Sequence, residues 1–599
     1  MYTQQKADYD VIIMGAGFAG VCQARHLMLN VPGIKIAIID PRSPERDVKD
    51  LKIGESMVEA AALFVCKELG LHEYMIENHT PKAGLNFHWS KDPAKTNELD
   101  DYYHVWSNRQ TAIASFHMNR AKFETDVLRM NREMGASFYN GRVVDVDLTP
   151  GDELNSVRVK IDGEQKILTA HHVVDAAGQS FIIGKKKDNL ITESENLYGL
   201  NTGSAWVRVN NVDRTVFDDG YHPHRASSSS YYATNHYFGQ AHWLWMIPSE
   251  LDSMELSIGV MHHHDVIPAN TINTKEKFYG FLKANHTMLY NLVKSGQNVD
   301  FHYRSKVPYK SKEVFSPDNW YVIGDSAYIF DAFYSYGTTM IAFAIEGATE
   351  VIRAKLAGEA DATVKQDAYN RFNLAYSENV NHLMRYHHKQ LGHASVMSWR
   401  IYFEYMWWFG IHVPMFVGKW HLNLQFLEKF LVLMPANQQG LFVDVYNQFN
   451  QLVDRGANIG LMDAYRADQL INDYSPLNHF DDFLENSKLE PLRVNIFAGM
   501  KHAYFYIAIW YLMFQWKGFG LAGILNPKHI YHFGRLLSLS FQSVIGEMVY
   551  KSKIKGLPEN ADIEKMREEF KNYSYEPRIQ MPDTKAEKTE TVSQDLVGV

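Results

Sequence analysis

Three glycines, Gly15, Gly17 and Gly20, stand in GxGxxG spacing directly after the apolar run Val11-Ile12-Ile13. That pattern suits a pyrophosphate. Gly15 allows a tight turn out of a strand, Gly17 lets phosphate approach bare backbone, and Gly20 lets the following helix pack closely. Phe18 and Ala19 complete the motif, so the helix start would aim its backbone N–H groups at the anion. Asp40 closes a second apolar run, Ile34 to Ile39, where a carboxylate can accept a ribose hydroxyl.

Further along are residues suited to a second part of the same ligand. Gly54-Glu55-Ser56 stands at the mouth of a helix predicted over Met57–Leu69, and Ser56 also suits a helix cap. Gly178 follows the predicted strand His172–Ala177, and Gly324-Asp325 follows the predicted strand Trp320–Ile323. Ser335-Tyr336-Gly337-Thr338 leads into a helix predicted over Met340–Leu356, whose first N–H groups can hold an anion. Lys82 precedes an alternating, strand-like segment; on pattern alone it reads as a solvated side chain. Trp243 and Trp245 lie two apart on a predicted strand and share one face, which taken alone reads as core packing.

The elements that must position these residues follow an order of strand, helix, strand, which predicts an α/β, Rossmann-like domain. A helix is predicted over Ala121–Met134, after Phe116-His117-Met118-Asn119-Arg120, with strands over Arg142–Leu148 and Val157–Ile161. Residues 185–315 mix short strands, loops and aromatics and form the expected substrate region of a first domain, 1–365. Beyond it only helical patterns are seen, giving an expected helical domain over 366–575 and a polar, disordered tail over 576–599. Four histidines, His382, His387, His388 and His393, lie close in sequence but share no helical face well, and they read as ordinary surface or core residues rather than metal ligands.

With 599 residues the chain needs more than one core, and 46% apolar with 22% charged residues is ordinary globular composition. A net charge of −9 argues against nonspecific nucleic-acid binding. Two cysteines, Cys22 and Cys66, predict no disulfide framework and a reducing, cytoplasmic setting, and the N-terminus leaves no room for a signal peptide. No apolar run is long enough to span a bilayer. The aromatic stretches Trp399–Trp420 and Tyr504–Trp516 read as core, with peripheral membrane contact or a greasy substrate tunnel left open.

Taken together, these residues resemble the flavin-dependent halogenases, a branch of the FAD-dependent monooxygenase-like superfamily, from the N-terminus to about residue 360. Trp243-Leu244-Trp245-Met246-Ile247-Pro248 is similar to the family's WxWxIP motif, and Lys82 to its catalytic lysine. The resemblance implies FAD, reduced for turnover, held by Gly15, Gly17, Phe18, Ala19, Gly20, Asp40, Gly54, Glu55, Ser56, Arg120, Gly178, Gly324 and Asp325. It implies halide, chloride or bromide, at the backbone of Tyr336, Gly337 and Thr338, with Ser335 of the same motif counted as catalytic beside Lys82. Trp243 and Trp245 would screen the flavin from substrate, and Lys82 would activate hypohalous acid toward an electron-rich carbon. It also implies a separate flavin reductase and an electron-rich aromatic substrate, phenolic or pyrrolic, free, lipophilic or tethered to a carrier protein. Two departures stand out: Ala332 replaces the family's proline, and Tyr334 replaces the glutamate of tryptophan halogenases, which predicts a substrate other than tryptophan. The rival readings are a flavin monooxygenase, oxidase or desaturase on the same scaffold, and a flavin-binding protein without turnover.

Overall fold

The computed structural model describes residues 7–45, 53–107, 115–151, 153–217, 230–249, 255–385, 387–462 and 496–554. The tail expected over 576–599 lies outside the described residues. The apolar run before the glycines forms the strand Tyr9–Met14, fully buried from Val11 onward, as befits a central parallel strand covered on both faces. Ile36–Asp40 lies parallel on one side and the end of Glu164–Asp175 parallel on the other. Ser137–Asn140 extends the sheet beyond Ile36–Asp40, and Trp320–Val322 pairs parallel with Val173–Asp175. The strand ends therefore converge where the three glycine turns lie.

Several boundaries differ from expectation for local reasons. The first helix runs Phe18–Asn30, starting directly after Gly17, and the helix expected from Met340 starts at Tyr336. Both starts fall in glycine-containing turns, where helix propensity is low but a first turn tolerates it. Glu164–Asp175 is longer than its apolar end suggests because its exposed half forms a hairpin with Asn155–Ile161. The helix expected over Met57–Leu69 is a short turn of α-helix, Glu59–Leu63, followed by a wider turn, Phe64–Glu68.

A second, mostly antiparallel sheet runs in the order Gln297–Arg304, Thr202–Asn210, Leu256–His263, His242–Pro248, Thr234–Gly239, Leu85–Ser90, Tyr102–Ser107. Its last two strands come from outside 185–315. The helices Lys275–Asn285 and Thr287–Ser295 cover one face and bury Phe278, Leu282, Leu289 and Leu292 against it.

Among the described residues no strand follows Ile329, and the remainder is helical. One core cluster runs without a break from Ile13 through Phe343 and Phe372 to Trp399 and Trp510. Trp399, Trp407, Trp408 and Trp420 are buried in it. The long helices Ile496–Ile524 and Pro527–Ile554 pack on each other; Tyr504, Trp510 and Phe514 face the core, whereas Trp516, Leu521, Phe541 and Met548 are exposed. No helix of the described residues is long and apolar enough to cross a membrane.

Candidate active site

A cavity of about 1,320 Å³ opens at the converging strand ends, lined by Gly15, Gly17, Asp40, Arg120, Gly178 and Asp325 among others. The three glycines of the first turn serve different ends. Gly15 has φ +104°, and a Cβ there would lie 2.4 Å from the Ala176 carbonyl oxygen. A Cβ on Gly20 would lie 2.0 Å from the Gly15 oxygen. Gly17 has nothing within 3.8 Å of its missing Cβ; the nearest atoms, on Arg42 and Glu124, are 3.9 Å away. Its bare backbone faces the cavity, as a cradle for phosphate requires.

Asp40 accepts the Ala16 N–H at 2.7 Å and the Arg42 guanidinium at 3.0 Å. Burial raises its proton affinity, but Arg42 and the Ala16 N–H outweigh that and hold the carboxyl below its ordinary range. Glu124 and Arg208 escaped the sequence reading. Glu124 is buried one helical turn beyond Arg120, and its Oε1 accepts from Phe18 N at 3.1 Å and from Arg120 at 2.8 Å. The i,i+4 spacing of Arg120 and Glu124 was the available signal. Glu55 is also turned inward: Arg208, itself 1% exposed, donates to its Oε1 at 2.8 Å and thereby ties the cofactor-side loop to the second sheet.

A second chamber of about 160 Å³ shares Ile53, Arg120, Arg304, Asp325 and Ile341 with the large cavity, so the two adjoin. Gly54, Glu55, Ser56, Trp243, Trp245, Gly324, Asp331, Ser335, Gly337 and Thr338 line it as well. The sequence elements read separately are thus brought to one wall. Trp243 and Trp245 do share a face, with ring centroids 5.9 Å apart. Trp243 Nε1–H donates to Asp331 Oδ1 at 3.1 Å, and Trp245 Nε1–H to Ser257 Oγ at 3.1 Å. Ala332 takes φ −79°, a value proline also adopts, so the altered motif keeps its local course. Tyr334 and Ser335 follow with φ of +64° and +58°, an unusual pair of left-handed residues that turns the chain back into the helix start. The Tyr334 hydroxyl donates to Glu404 Oε2 at 2.6 Å, which fastens the turn to the helix Ala394–Trp407.

Lys82 departs from the solvated reading. It is buried, its backbone fixed by the short pairing of Thr80-Pro81 with Phe116-His117. Its Nζ donates to Ser56 Oγ at 2.9 Å and to the Met57 carbonyl at 2.8 Å. Burial pushes the amine down to about 7, with the Glu59 carboxylate opposing. Ser56 Oγ is 2.8 Å from Thr234 Oγ1, which is in turn 2.8 Å from His117 Nε2. Lys82 is therefore one hydrogen bond, through Ser56, from the chamber wall.

The family model described as tryptophan halogenase matches residues 105–402. Over 600 aligned residues the chain is 38% identical to flavin-dependent halogenase chlA of Dictyostelium discoideum, covering 95% of this chain and 97% of that one. The chain belongs to the flavin-dependent halogenases. This halogenase is also 25% identical to a chlorinase of 1H-pyrrole-2-carbonyl peptidyl-carrier protein from Pseudomonas fluorescens, over 56% of its own length and 73% of the relative's. In fold it resembles the solved halogenase PltM, with a TM-score of 0.57 and 17% identity over 90% of this chain and 96% of that chain. The myxobacterial chondrochloren halogenase CndH gives 0.52 and 18%, over 64% of this chain and 83% of that one.

As a member of this family the halogenase is an FAD-dependent enzyme, and its residues fit the group: the cavity meets the first helix at Gly17, whose absent side chain leaves the phosphate cradle open. FAD supplies the redox chemistry when bound. The four neighbouring histidines assemble no metal site among the described residues; His382 and His387 are buried, His388 and His393 half-buried. The carboxylates of Glu68 and Glu346, near His26, instead hold the Lys419 ammonium.

The tryptophan pair invites a test that separates packing from screening. Trp245 is buried over Gly259, where a Cβ would fall 2.0 Å from the indole. Trp245→Ala should cost about 3–5 kcal/mol of stability through the cavity it leaves. Trp245→Phe keeps most of that packing, and we expect it to raise peroxide release or hydroxylated product at near-normal thermal stability. Unchanged coupling in Trp245→Phe would assign the indole to packing alone.

Proposed function

We propose that this enzyme halogenates a free, electron-rich phenol, using oxygen, chloride or bromide, and reduced FAD delivered by a separate reductase. The observation that carries the reading is Lys82, a buried amine beside the chamber shared by Trp243, Ser335 and Gly337. Tyr336 also borders a small, mostly apolar pocket of about 50 Å³ walled by Trp407, Phe442 and Tyr504, with Asn379, Glu404 and His412 among its polar groups. Trp408, which donates to Glu59 at 3.0 Å, links that pocket to the surroundings of Lys82.

Two comparisons favour a free substrate over a carrier-bound one. PltM in complex with phloroglucinol and FAD aligns over 90% of this chain with a TM-score of 0.54, helical region included. The match to the carrier-protein chlorinase stops at 56% of this chain. Tyr334, where tryptophan halogenases have glutamate, supports a substrate other than tryptophan. Both cysteines are buried and free, which supports a reducing, cytoplasmic setting, and a role in natural-product biosynthesis follows from the chemistry.

The test is product mass spectrometry with phloroglucinol, oxygen, reduced FAD and either halide. We expect hydrogen replaced by halogen, only when halide is present. A hydroxylated product would favour the monooxygenase reading, flavin binding with no product the non-catalytic one, and reaction only with carrier-bound arenes the tethered one.

A further inference from the structure

The turn between Asp331 and Gly337 contains a buried carboxyl that the family chemistry leaves unassigned. Asp331 is 8% exposed. Its Oδ1 accepts the Phe333 N–H at 2.9 Å and the Trp243 indole N–H at 3.1 Å, while its Oδ2 has no hydrogen-bond partner among the described residues. The left-handed pair Tyr334 and Ser335 folds the chain so that Asp331 lines the same chamber as Ser335, Gly337 and Thr338, the start of the helix Tyr336–Leu356. Gly337 has nothing within 4 Å of its missing Cβ, so the first turn of that helix opens onto space. Its N–H groups favour an anion there; an ionised carboxylate on the same wall disfavours one.

We propose that Asp331 is the proton switch of the halide site: halide binds only while this carboxyl is neutral, and each halide bound above the switching pH brings one proton with it. The proposal rests on the halogenase reading of the loop. The reaction balances as Asp–COO⁻, a proton from solvent and a halide ion going to Asp–COOH with bound halide; no redox step is involved.

The groups facing Asp331 decide whether another could take this part. From the helix Ala394–Trp407 comes Arg400, whose guanidinium is spent on Glu404, on Gln390 and on the Leu383 carbonyl. From the neighbouring strand comes His236, whose proton affinity burial and Lys82 push down to about 3. His387, edge-on to Phe333, is held well below its ordinary value by burial and Arg400. Both imidazoles stay neutral in the working range. Arg120, Arg304 and Asp325 line the chamber where it meets the large cavity. Three groups remain: Asp331, which burial pushes up to about 7, Lys82, which burial pushes down to about 7, and Asp325, whose carboxyl burial raises against the opposing charges of Arg120 and Arg304. Uptake lost in Asp331→Asn and kept in Lys82→Met assigns the proton to Asp331.

Calorimetric titration of sodium bromide into the FAD-loaded enzyme, in two buffers of different ionisation enthalpy, counts protons per bromide. We expect nearly none at pH 6, close to one at pH 8, and bromide affinity falling about tenfold per pH unit above the switch. Asp331→Asn keeps an oxygen for Trp243 and Phe333 and should bind bromide with no proton uptake and a flat pH dependence. Lys82→Met should retain the uptake. Bromide binding without a linked proton overturns the proposal and leaves the halogenase reading standing, as does uptake that persists in Asp331→Asn or vanishes in Lys82→Met. Bromide binding at no pH overturns both. If Asp331→Asn fails to load FAD, the wild type and Lys82→Met decide between these outcomes.

Discussion

Lys82→Met is expected to abolish halogenated product while flavin oxidation continues. A positioned proton donor contributes about 10²- to 10⁴-fold, or roughly 3–5 kcal/mol of barrier. Met keeps the apolar stem and removes the amine, and Ser56 Oγ keeps Thr234 as a partner. The fold should tolerate the change, because a buried amine already shifted to about 7 is a burden on the native state. In the unfolded chain the lysine keeps its proton up to about 10.5, whereas the native amine loses it near 7. Between those values the unfolded state binds more protons, so wild-type stability should gain with rising pH from this residue, and Lys82→Met should lack that gain. Thermal melts at pH 6.5 and 9 measure it, and oxygen consumption alongside product yield measures the chemistry. Wild-type product yield in Lys82→Met would move the reaction back to the flavin itself.

Gly17→Val should yield a folded protein without flavin. The structure leaves 3.9 Å around the missing Cβ, so a side chain there is not blocked at its first carbon by backbone; what it fills is the phosphate cradle. Gly20→Val is the contrasting case. Its Cβ would sit 2.0 Å from the Gly15 oxygen, and the first helix could not dock. We expect Gly17→Val to melt as an intact protein with no flavin absorbance, and Gly20→Val to be recovered poorly or unfolded. A full flavin spectrum in Gly17→Val would place the pyrophosphate elsewhere.

Much of this site is readable from the residues because its backbone carries it. Gly15, Gly17 and Gly20 are chosen by local geometry, and local geometry leaves a spacing in the chain. Lys82 shows the limit. Its neighbours in sequence say nothing of its burial, which comes from Ser56, Met57 and Thr234, elements that fold over it from elsewhere. Glu404 is less legible still. It lies on a helix with no motif, 70 residues beyond Tyr334, and only tertiary packing brings the two together. Glu55 has a glycine and a helix mouth beside it and reads as a cofactor contact, yet its carboxylate is committed to Arg208, a partner 153 residues away. Strand ends fared differently from strand starts: the buried half of Glu164–Asp175 is apolar and evident, whereas its exposed half is polar and resembles a loop.

The unbroken core that joins Ile13 to Phe343 and Trp510 has a consequence for how such enzymes can be recombined. A crossover near residue 365 would graft the helical half of one halogenase onto the flavin half of another, as a route to new substrates. Here that seam passes between Phe343 and Phe372, through the contact of Tyr334 with Glu404, and through the Lys419 ammonium between Glu68 and Glu346. A chimera would have to match all three at once. Exchange of single wall residues such as His412 or Phe442 leaves the seam whole, so stepwise mutation is the more accessible path to altered selectivity in this scaffold.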